Sequence, residues 1–427
     1  MGAPLKIAIA GLGTVGGGVV KALSAQSAEL AARAGREISV VAVSARDAKK
    51  SRGFRLENFT ADPLALAKSD ADVVVELIGG EEGVARALVE AALKNGKHVV
   101  TANKALLAKH GRELANLAER KNLQLKFEAA VAGGIPIVKT LRESLVAYDV
   151  HAVKGILNGT CNYILTEMEA SGANFADVLK DAQALGYAEA DPTLDVGGGD
   201  TAHKLALLSS LVFGRAPDLS SMTVEGIQHI TPADIHFASE FGFRIKLLGV
   251  ARRTASGVEQ KVHPAMVRAR SPLANVDGAA NGILVDAGQA GPFFFSGRGA
   301  GEAPTASAVV ADLVEIARGS HTPVFGRPAA GLADPGPAPS DAALSPWYLR
   351  FEVLDLPGVL AEIAGHLSHC GVSIESMIQR GRDHGAPVAI VMITHETQQS
   401  AVERALKAIA ASDKVRARPC MIPMEAA

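Results

Sequence analysis

Cysteine is scarce in this chain of 427 residues: Cys161, Cys370 and Cys420 are odd in number and widely spaced. That excludes a disulfide framework and a zinc knuckle and leaves three reduced thiols. A dominant charge is also lacking. Forty-three basic residues against 45 acidic ones give a net charge of -2, without the electrostatic footprint that nucleic acid or an anionic membrane requires. No apolar run approaches the roughly 18 residues that cross a bilayer, and the N-terminus lacks the basic, apolar and small-residue order of a signal peptide. The expectation is a cytoplasmic protein whose partner is a small molecule, neither nucleic acid nor membrane. What the chain has is 48% hydrophobic residues, enough to exclude disorder, in a length that predicts two or three domains.

Short β-branched apolar runs recur at residues 5–10, 38–43, 73–78, 99–101 and 123–128, with helical stretches between them, the first over 15–31. Alternating β and α segments predict an α/β domain with a parallel, doubly wound Rossmann-type sheet over residues 1–133, completed by residues 300–320. From 134 to 320 longer helices around Leu179 and Leu207 give way to β segments near 243–251 and 282–287, which predicts a mixed α+β second domain. Residues 321–346 hold six prolines and no periodicity, the composition of an exposed, stiff linker. A separate module is expected over 347–427.

The segment Gly11-Leu12-Gly13-Thr14-Val15-Gly16 fits G-x-G-x-x-G between a strand and a helix, the context of a dinucleotide fingerprint, although such turns also arise for structural reasons. Gly11 would permit the tight turn, Gly13 the approach of a pyrophosphate and Gly16 close packing, with free amides at the helix start. After the second strand, Arg46 stands where an arginine would pair with a 2′-phosphate, which favours NADP; Asp47 leaves NAD open. With Lys49 and Lys50 these residues also read as ordinary solvated loop charges.

Three further segments concentrate polar groups. Asn103-Lys104 follows a strand at the carboxyl edge of the sheet, where a lysine either meets ligand or merely opens a helix. Asn158-Gly159-Thr160-Cys161-Asn162 could fold as a polar loop; its Cys161, with no activating histidine nearby, reads as a buried thiol. Glu189, Asp191, Asp195 and Asp200 precede Lys204 in a glycine-rich loop that ends in an apolar helix. Four carboxylates are expected to converge on that lysine. An i,i+4 ion pair between Asp200 and Lys204 is the plain reading, and a site for a cationic amino acid the functional one. His203 points to another helix face and reads as structural.

Together these segments resemble the homoserine dehydrogenase family. The resemblance implies reversible, NAD(P)-dependent interconversion of homoserine and aspartate semialdehyde, on the route to threonine, methionine and isoleucine. It implies that Glu189 and Asp200 hold substrate, with Asp195 beside them, that Lys204 is the acid–base group and that Lys104 is a second active-site lysine touching substrate and cofactor. Repulsion between the two ammonium groups would lower one lysine's pKa. It implies a monovalent cation such as Na+ on Glu128, Val131, Gly133 and Ile135, a cofactor contact at Gly301 ahead of a helix over 306–317, and a homo-oligomer, dimer or tetramer, with residues 134–320 as the substrate-binding and dimerisation domain. With the fingerprint so near the N-terminus, no fused aspartokinase is expected. A cofactor-binding redox sensor and a dehydrogenase for another amino alcohol remain as alternatives.

The last region resembles an ACT domain. A strand ending near Val353, Pro357-Gly358, a helix to His369, strands after Cys370 and over 388–394, a helix over 401–410 and a strand over 415–421 give the ferredoxin-like order. Free amides after Pro357 and Gly358 would suit an amino-acid carboxylate, and threonine is the expected effector; a dimerising appendage without ligand is the other reading. His366 and His369 share a helix face but lack further metal ligands and read as solvated.

Overall fold

The computed structural model describes residues 2–47, 58–336, 344–380 and 387–425. Lys49 and Lys50 lie outside them. Strand β1 (Leu5–Ala10) enters the glycine turn and α1 (Thr14–Ala25), which Gln26 separates from α2 (Ser27–Ala34) by leaving helical geometry at φ -120°, so the helix expected over 15–31 is two. Then follow β2 (Ile38–Ser44), β3 (Phe59–Thr60), β4 (Val73–Glu76), α3 (Val84–Lys94), β5 (His98–Thr101), α4 (Lys104–Arg120) and β6 (Leu125–Lys126). The six strands pair in the order β3-β2-β1-β4-β5-β6, all parallel. This is the doubly wound order whose carboxyl edge binds ligands. β6 is shorter than the expected 123–128 because the Gln124 amide donates to His98 Nδ1 at 2.9 Å and Glu128 opens a 3-10 turn.

The chain crosses to the second domain through α5 (Ile137–Lys139) and β7 (Ala152–Ile156), then forms α6 (Gly159–Ser171), α7 (Phe175–Ala184), α8 (Thr193–Val196) and α9 (Gly199–Phe213). After β8 (Thr223–Val224) and α10 (Pro232–Glu240) come β9 (Phe243–Thr254), β10 (Gly257–Arg268), β11 (Ala280–Asp286) and β12 (Pro292–Arg298). Helix α11 (Glu302–Ala317) begins earlier than the expected 306 and returns to the first domain, where Val309, Leu313 and Ile316 join Ile7, Ile9, Val19 and Leu23 in one apolar cluster. The absence of a side chain at Gly18 permits this approach, since a Cβ there would lie 2.7 Å from Glu302 Cγ.

The last module comprises β13 (Leu344–Ser345), β14 (Trp347–Leu354), α12 (Val359–His369), β15 (Ile374–Arg380), β16 (Pro387–Thr394), β17 (Thr397–Gln398), α13 (Gln399–Ile409) and β18 (Cys420–Glu425). Its sheet order β18-β14-β16-β15 is ferredoxin-like. The final strand lies later than the expected 415–421, where Val415 makes only an isolated bridge to Val353.

Two expectations about this end of the chain are overturned. The expected linker of residues 321–346, of which 337–343 lie outside the described residues, is not simply exposed in its first part: Val324, Phe325, Ala329 and Leu332 are buried, and the Glu119 carboxylate of α4 accepts from the amides of Val324 and Ala329 at 3.1 and 2.7 Å. Prolines here fix a path along α4 for apolar side chains spaced between them. Nor is the module separate. β18 pairs in parallel with β10, Met266 beside Met424, so one mixed sheet runs from β12 through β7, β9 and β10 into the module. A buried Arg350–Asp234 pair, at 2.7 Å, crosses the same seam. Among the described residues no helix is long and apolar enough to cross a membrane.

Candidate active site

The sheet's carboxyl edge supplies the first half of the site. Gly11 holds φ +98°, and a Cβ on it would lie 2.6 Å from the Leu77 carbonyl; only glycine fits this turn without strain. The open-faced Gly13 then caps α1 without any side-chain bond, and a Cβ built on Gly13 would meet nothing within 4 Å. The backbone from Gly13 to Gly16, flanked by Leu12 and Val15 and with Thr14 exposed, offers amides to an anion from an uncrowded side. Arg46 and Asp47 are both exposed just past β2, one strand over. The glycine turn therefore fits the diphosphate of a nicotinamide cofactor.

The ends of β4 and β5 are tied together by Glu76, fully buried, whose carboxylate accepts from Thr101 Oγ1 at 2.6 Å and from the amides of Ile78 and Gly79 at 2.7 and 3.0 Å. Thr101 in turn accepts from the Asn103 amide, and Asn103 caps α4 through Leu106 while donating to the Gly80 carbonyl at 2.7 Å. This lattice fixes the first residue of α4, Lys104, at the mouth of the cleft. Glu76 was not singled out from sequence, although an acidic residue ending the run Val73-Val74-Val75 was a usable signal.

The second domain brings the other half. Helix α9 starts at Gly199 and turns Asp200 and Lys204 onto one face, as the i,i+4 spacing predicts. Asp200 Oδ2 accepts from Lys204 Nζ at 2.7 Å and from Asn158 Nδ2 at 2.8 Å, while Oδ1 faces Lys104 Nζ at 3.2 Å. The buried carboxylate is thus shared by both lysines. Burial pushes the Asp200 carboxyl up, but Lys204 and Lys104 outweigh it and hold the group well below the usual carboxylate range. This is not the expected pair of mutually repelling ammonium groups, because an anion stands between them. Lys204 also donates to the Leu157 carbonyl at 2.7 Å, which leaves one of its three N–H donors without a partner among the described residues, and Lys104 keeps 34% of its side chain exposed. One cation is locked and the other faces the opening.

Asn158 orders the rest: it donates to Asp195 as well as to Asp200, each at 2.8 Å, and caps α6 by accepting from the Cys161 amide. Burial pushes the Asp195 carboxyl up against that donation. Its central place follows from the quoted Asn158-Gly159-Thr160 segment, but its bond to two acids about 40 residues on depends on tertiary structure alone. Cys161 is buried, donates to the Asp195 carbonyl, and has its thiol pushed well up by burial, as expected of a packed rather than a nucleophilic group. Of the four carboxylates expected to converge on Lys204, only Asp200 contacts it, and Asp195 joins the cluster through Asn158. Asp191 is exposed and accepts from the Thr193 amide in its own turn, and Glu189 is exposed with no hydrogen bond to its carboxylate among the described residues. His203 is half-buried with an unpartnered Nδ1.

Near the domain crossing, Glu128 is buried and its oxygens accept from the amides of Val138 and Lys139 at 2.9 and 2.8 Å; burial pushes its carboxyl up. The Gly133 amide donates to the Gly299 carbonyl, while the Ile135 carbonyl accepts from Ile137 and Val131 lies fully buried beside Glu128. Gly301, at φ +120°, is the N-cap of α11. The segment around Glu128 and the one around Gly301 therefore meet through these backbone bonds.

Comparison with known proteins adds the family. The model described as "Homoserine dehydrogenase, NAD binding domain" matches residues 11–128, "Homoserine dehydrogenase" matches 136–314 and "ACT domain" matches 347–413. The homoserine dehydrogenase of Neisseria gonorrhoeae is 46% identical over 99% of both chains. The crystal structure of a homoserine dehydrogenase from Thiobacillus denitrificans superposes with a TM-score of 0.93 at 45% identity, covering 99% of each chain. A hyperthermophilic archaeal homoserine dehydrogenase, solved in complex with NADPH, is 25% identical with a TM-score of 0.63 over 73% of this chain and 97% of that one. A nicotinamide-type glycine turn, a carboxylate shared by two lysines, a C-terminal ACT module and full-length likeness to these enzymes agree: the chain belongs to the homoserine dehydrogenase family.

Proposed function

We propose that the chain interconverts homoserine and aspartate semialdehyde with NADP in preference to NAD, in the biosynthesis of threonine, methionine and isoleucine. The observation that carries this reading is the Asp200 carboxylate held between Lys204 and Lys104 at the meeting of the two domains. The glycine turn from Gly11 to Gly16 would hold the nicotinamide cofactor, which would supply hydride chemistry at the carbon that is aldehyde in one direction and alcohol in the other. As the carbonyl oxygen gains alkoxide character, the unspent N–H of Lys204 gives it a proton, and the exposed ammonium of Lys104 opposes its charge. Asp200 keeps both cations aimed. Asp195 and Glu189 receive the substrate ammonium, Glu189 from the exposed segment before α8. Arg46 favours the 2′-phosphate of NADP; the NADPH complex of the archaeal relative supports that choice.

Glu128, with the carbonyls of Val131, Gly133 and Ile135, holds a monovalent cation such as Na+, whose charge would offset the burial that pushes the Glu128 carboxyl up. The ACT module places turnover under feedback by threonine, and the mixed sheet of the second domain pairs two copies as a homodimer. The test is reduction of NADP and of NAD by homoserine, followed by absorbance of the reduced cofactor. Homoserine-dependent reduction that favours NADP is expected; no reduction with either cofactor would remove the assignment, and an NAD preference would remove the role of Arg46.

A further inference from the structure

A cavity of about 160 Å3, room for more than one water, lies at the last turn of α9, where Leu211 and Val212 line it. Leu211 stands about 10 Å along the helix axis from Lys204, so the cavity is distinct from the catalytic cluster. Its charged lining residues, among the described ones, are Arg142, Arg253 and Arg327; no acid lines it. Separate parts of the chain bring the three together. Arg142 lies in the π-helical turn Thr140–Ser144 after α5, Arg253 near the end of β9, and Arg327 in the segment that runs along α4. Phe325, fully buried with its ring 5.5 Å from that of Phe127, anchors that segment, and the chain turns at Gly326, φ +75°, where a Cβ would lie 3.5 Å from Arg142 Cγ.

The three guanidinium groups keep donors in reserve. Arg142, its side chain 1% exposed, approaches Glu143 at 3.2 Å and Glu315 of α11 at 3.5 Å through Nη2, but its Nη1 is buried with no hydrogen-bond partner among the described residues. A buried donor left without an acceptor is costly and asks for one. Arg253 commits Nη1 to Asp149 at 2.8 Å, a carboxylate that is itself exposed. Arg327 has no hydrogen bond or ion pair among the described residues. Its guanidinium lies against Gly214, the C-cap of α9, where a Cβ would fall 2.1 Å from Nη1. A cation there complements the helix end and still has its N–H groups to offer.

We infer that this cavity binds a phosphate group, as the free ion or as a monoester, on Arg142, Arg253 and Arg327. Guanidinium forks match oxyanions, and three forks from three parts of the chain exceed what the two coplanar oxygens of one carboxylate can satisfy. A phosphate directs its oxygens tetrahedrally and brings close to two negative charges at neutral pH, which suits a wall of cations without an acid. Tyr148, half open to solvent, lines the same cavity and offers a phenolic hydroxyl. An occupant would tie the crossing after α5 to the last turn of α9 and to the segment along α4, and because it binds only the folded chain it would raise the melting temperature. The inference does not depend on the dehydrogenase assignment.

The full-length protein, free of substrate and cofactor, is titrated with inorganic phosphate and, separately, with glycerol 3-phosphate, at ionic strength held constant with sodium chloride. Calorimetry gives the affinity, and melting temperatures are taken in parallel. A saturable heat and a saturable rise in melting temperature are expected with at least one of the two; tighter binding of the ester assigns the cavity to a phosphorylated metabolite, tighter binding of phosphate to the free ion. Arg327→Gln and Arg253→Gln are each expected to weaken the tighter one about 10-fold or more, the loss of one charged contact. Each rise is measured from that variant's own phosphate-free melting temperature, so lost stability does not imitate lost binding. Arg46→Ala, beside the glycine turn, is expected to bind as the parent does. No saturable heat with either titrant would overturn the inference. So would binding that neither Arg327→Gln nor Arg253→Gln weakens, or that is lost only in Arg46→Ala, which would put the phosphate in the cofactor cleft.

Discussion

Two buried aspartates in this molecule are built from similar parts and do different things. Asp234, fully buried at the seam, accepts from Arg350 Nε and Nη2 at 2.7 and 3.1 Å, from Tyr348 Oη at 3.0 Å, and from the amide and hydroxyl of Thr231 at 2.9 and 2.6 Å. Every partner is buried or spent, and nothing there can meet a substrate. Asp200 also holds cations in a buried place, yet one of its lysines keeps an unspent donor and the other is partly open to solvent. A buried acid with a basic partner is therefore not in itself a catalytic signature. What distinguishes a site is donor capacity left over and an opening toward which it points.

The two aspartates differ most in stability. Asp234→Ala leaves the buried Arg350 with Glu352 as its one remaining carboxylate partner among the described residues and is expected to cost about 3 kcal/mol, read from the midpoint of urea unfolding; a loss under about 1 kcal/mol would show that the seam is not a structural lock. The seam also sets what deletion of the ACT module does. Ending the chain near Gly331 strips β18 from β10 and exposes Asp234, so loss of stability is expected along with any loss of effector response. Lys104→Ala is the converse case: turnover falls about 100-fold, because charge stabilisation of the alkoxide is lost, while the unfolding midpoint hardly moves. Equal effects on turnover and stability would erase the distinction.

Smaller effects sharpen it. Glu189→Ala is expected to raise the Michaelis constant for homoserine about 10-fold with little change in turnover, and an unaltered constant would take Glu189 out of the substrate site. Arg46→Ala should weaken NADP about 5-fold relative to NAD, the modest size reflecting an exposed ion pair. Equal weakening of both would make Arg46 a surface charge. Acid does not separate the two aspartates. Burial pushes both carboxyls up, but their cations outweigh it and hold each below its unfolded value. Each therefore contributes stability that is present above about pH 4 and lost as pH falls through the lowered native value. Unfolding that steepens below about pH 4 is expected, and Asp234→Asn should flatten part of that acid limb.

Five strands of the first sheet, the glycine turn and the Asp200–Lys204 pair were legible because each depends on local spacing: period, turn chemistry and one helical turn; the two-residue β3 (Phe59–Thr60) was too short to leave such a signal. Gln26 was not legible as a break, since nothing apolar is interrupted there. The order β18-β14-β16-β15 followed from recognisable segments, but its fusion to β10 did not, because pairing between distant strands leaves no local trace in Met266 or Met424. The proline-rich stretch misled for a related reason: composition marked a linker, while Val324 and Phe325 find their pocket only once α4 is in place. In the site, Lys104 and Lys204 were visible, but the carboxylate between them was read as a partner of one. Asn158 and Glu76 act through residues remote in sequence, so their roles appear only in the folded chain.

In the proposed reaction Lys204 acts at the reacting oxygen. Its most direct test is a single-turnover measurement of hydride transfer between NADPH and aspartate semialdehyde by Lys204→Met, with NADPH affinity measured on the same sample. The expected result is a transfer rate lower by about 100-fold or more with the NADPH dissociation constant changed less than about 2-fold. A rate close to that of the parent enzyme would contradict the assignment of Lys204 and with it the contrast drawn between Asp200 and Asp234.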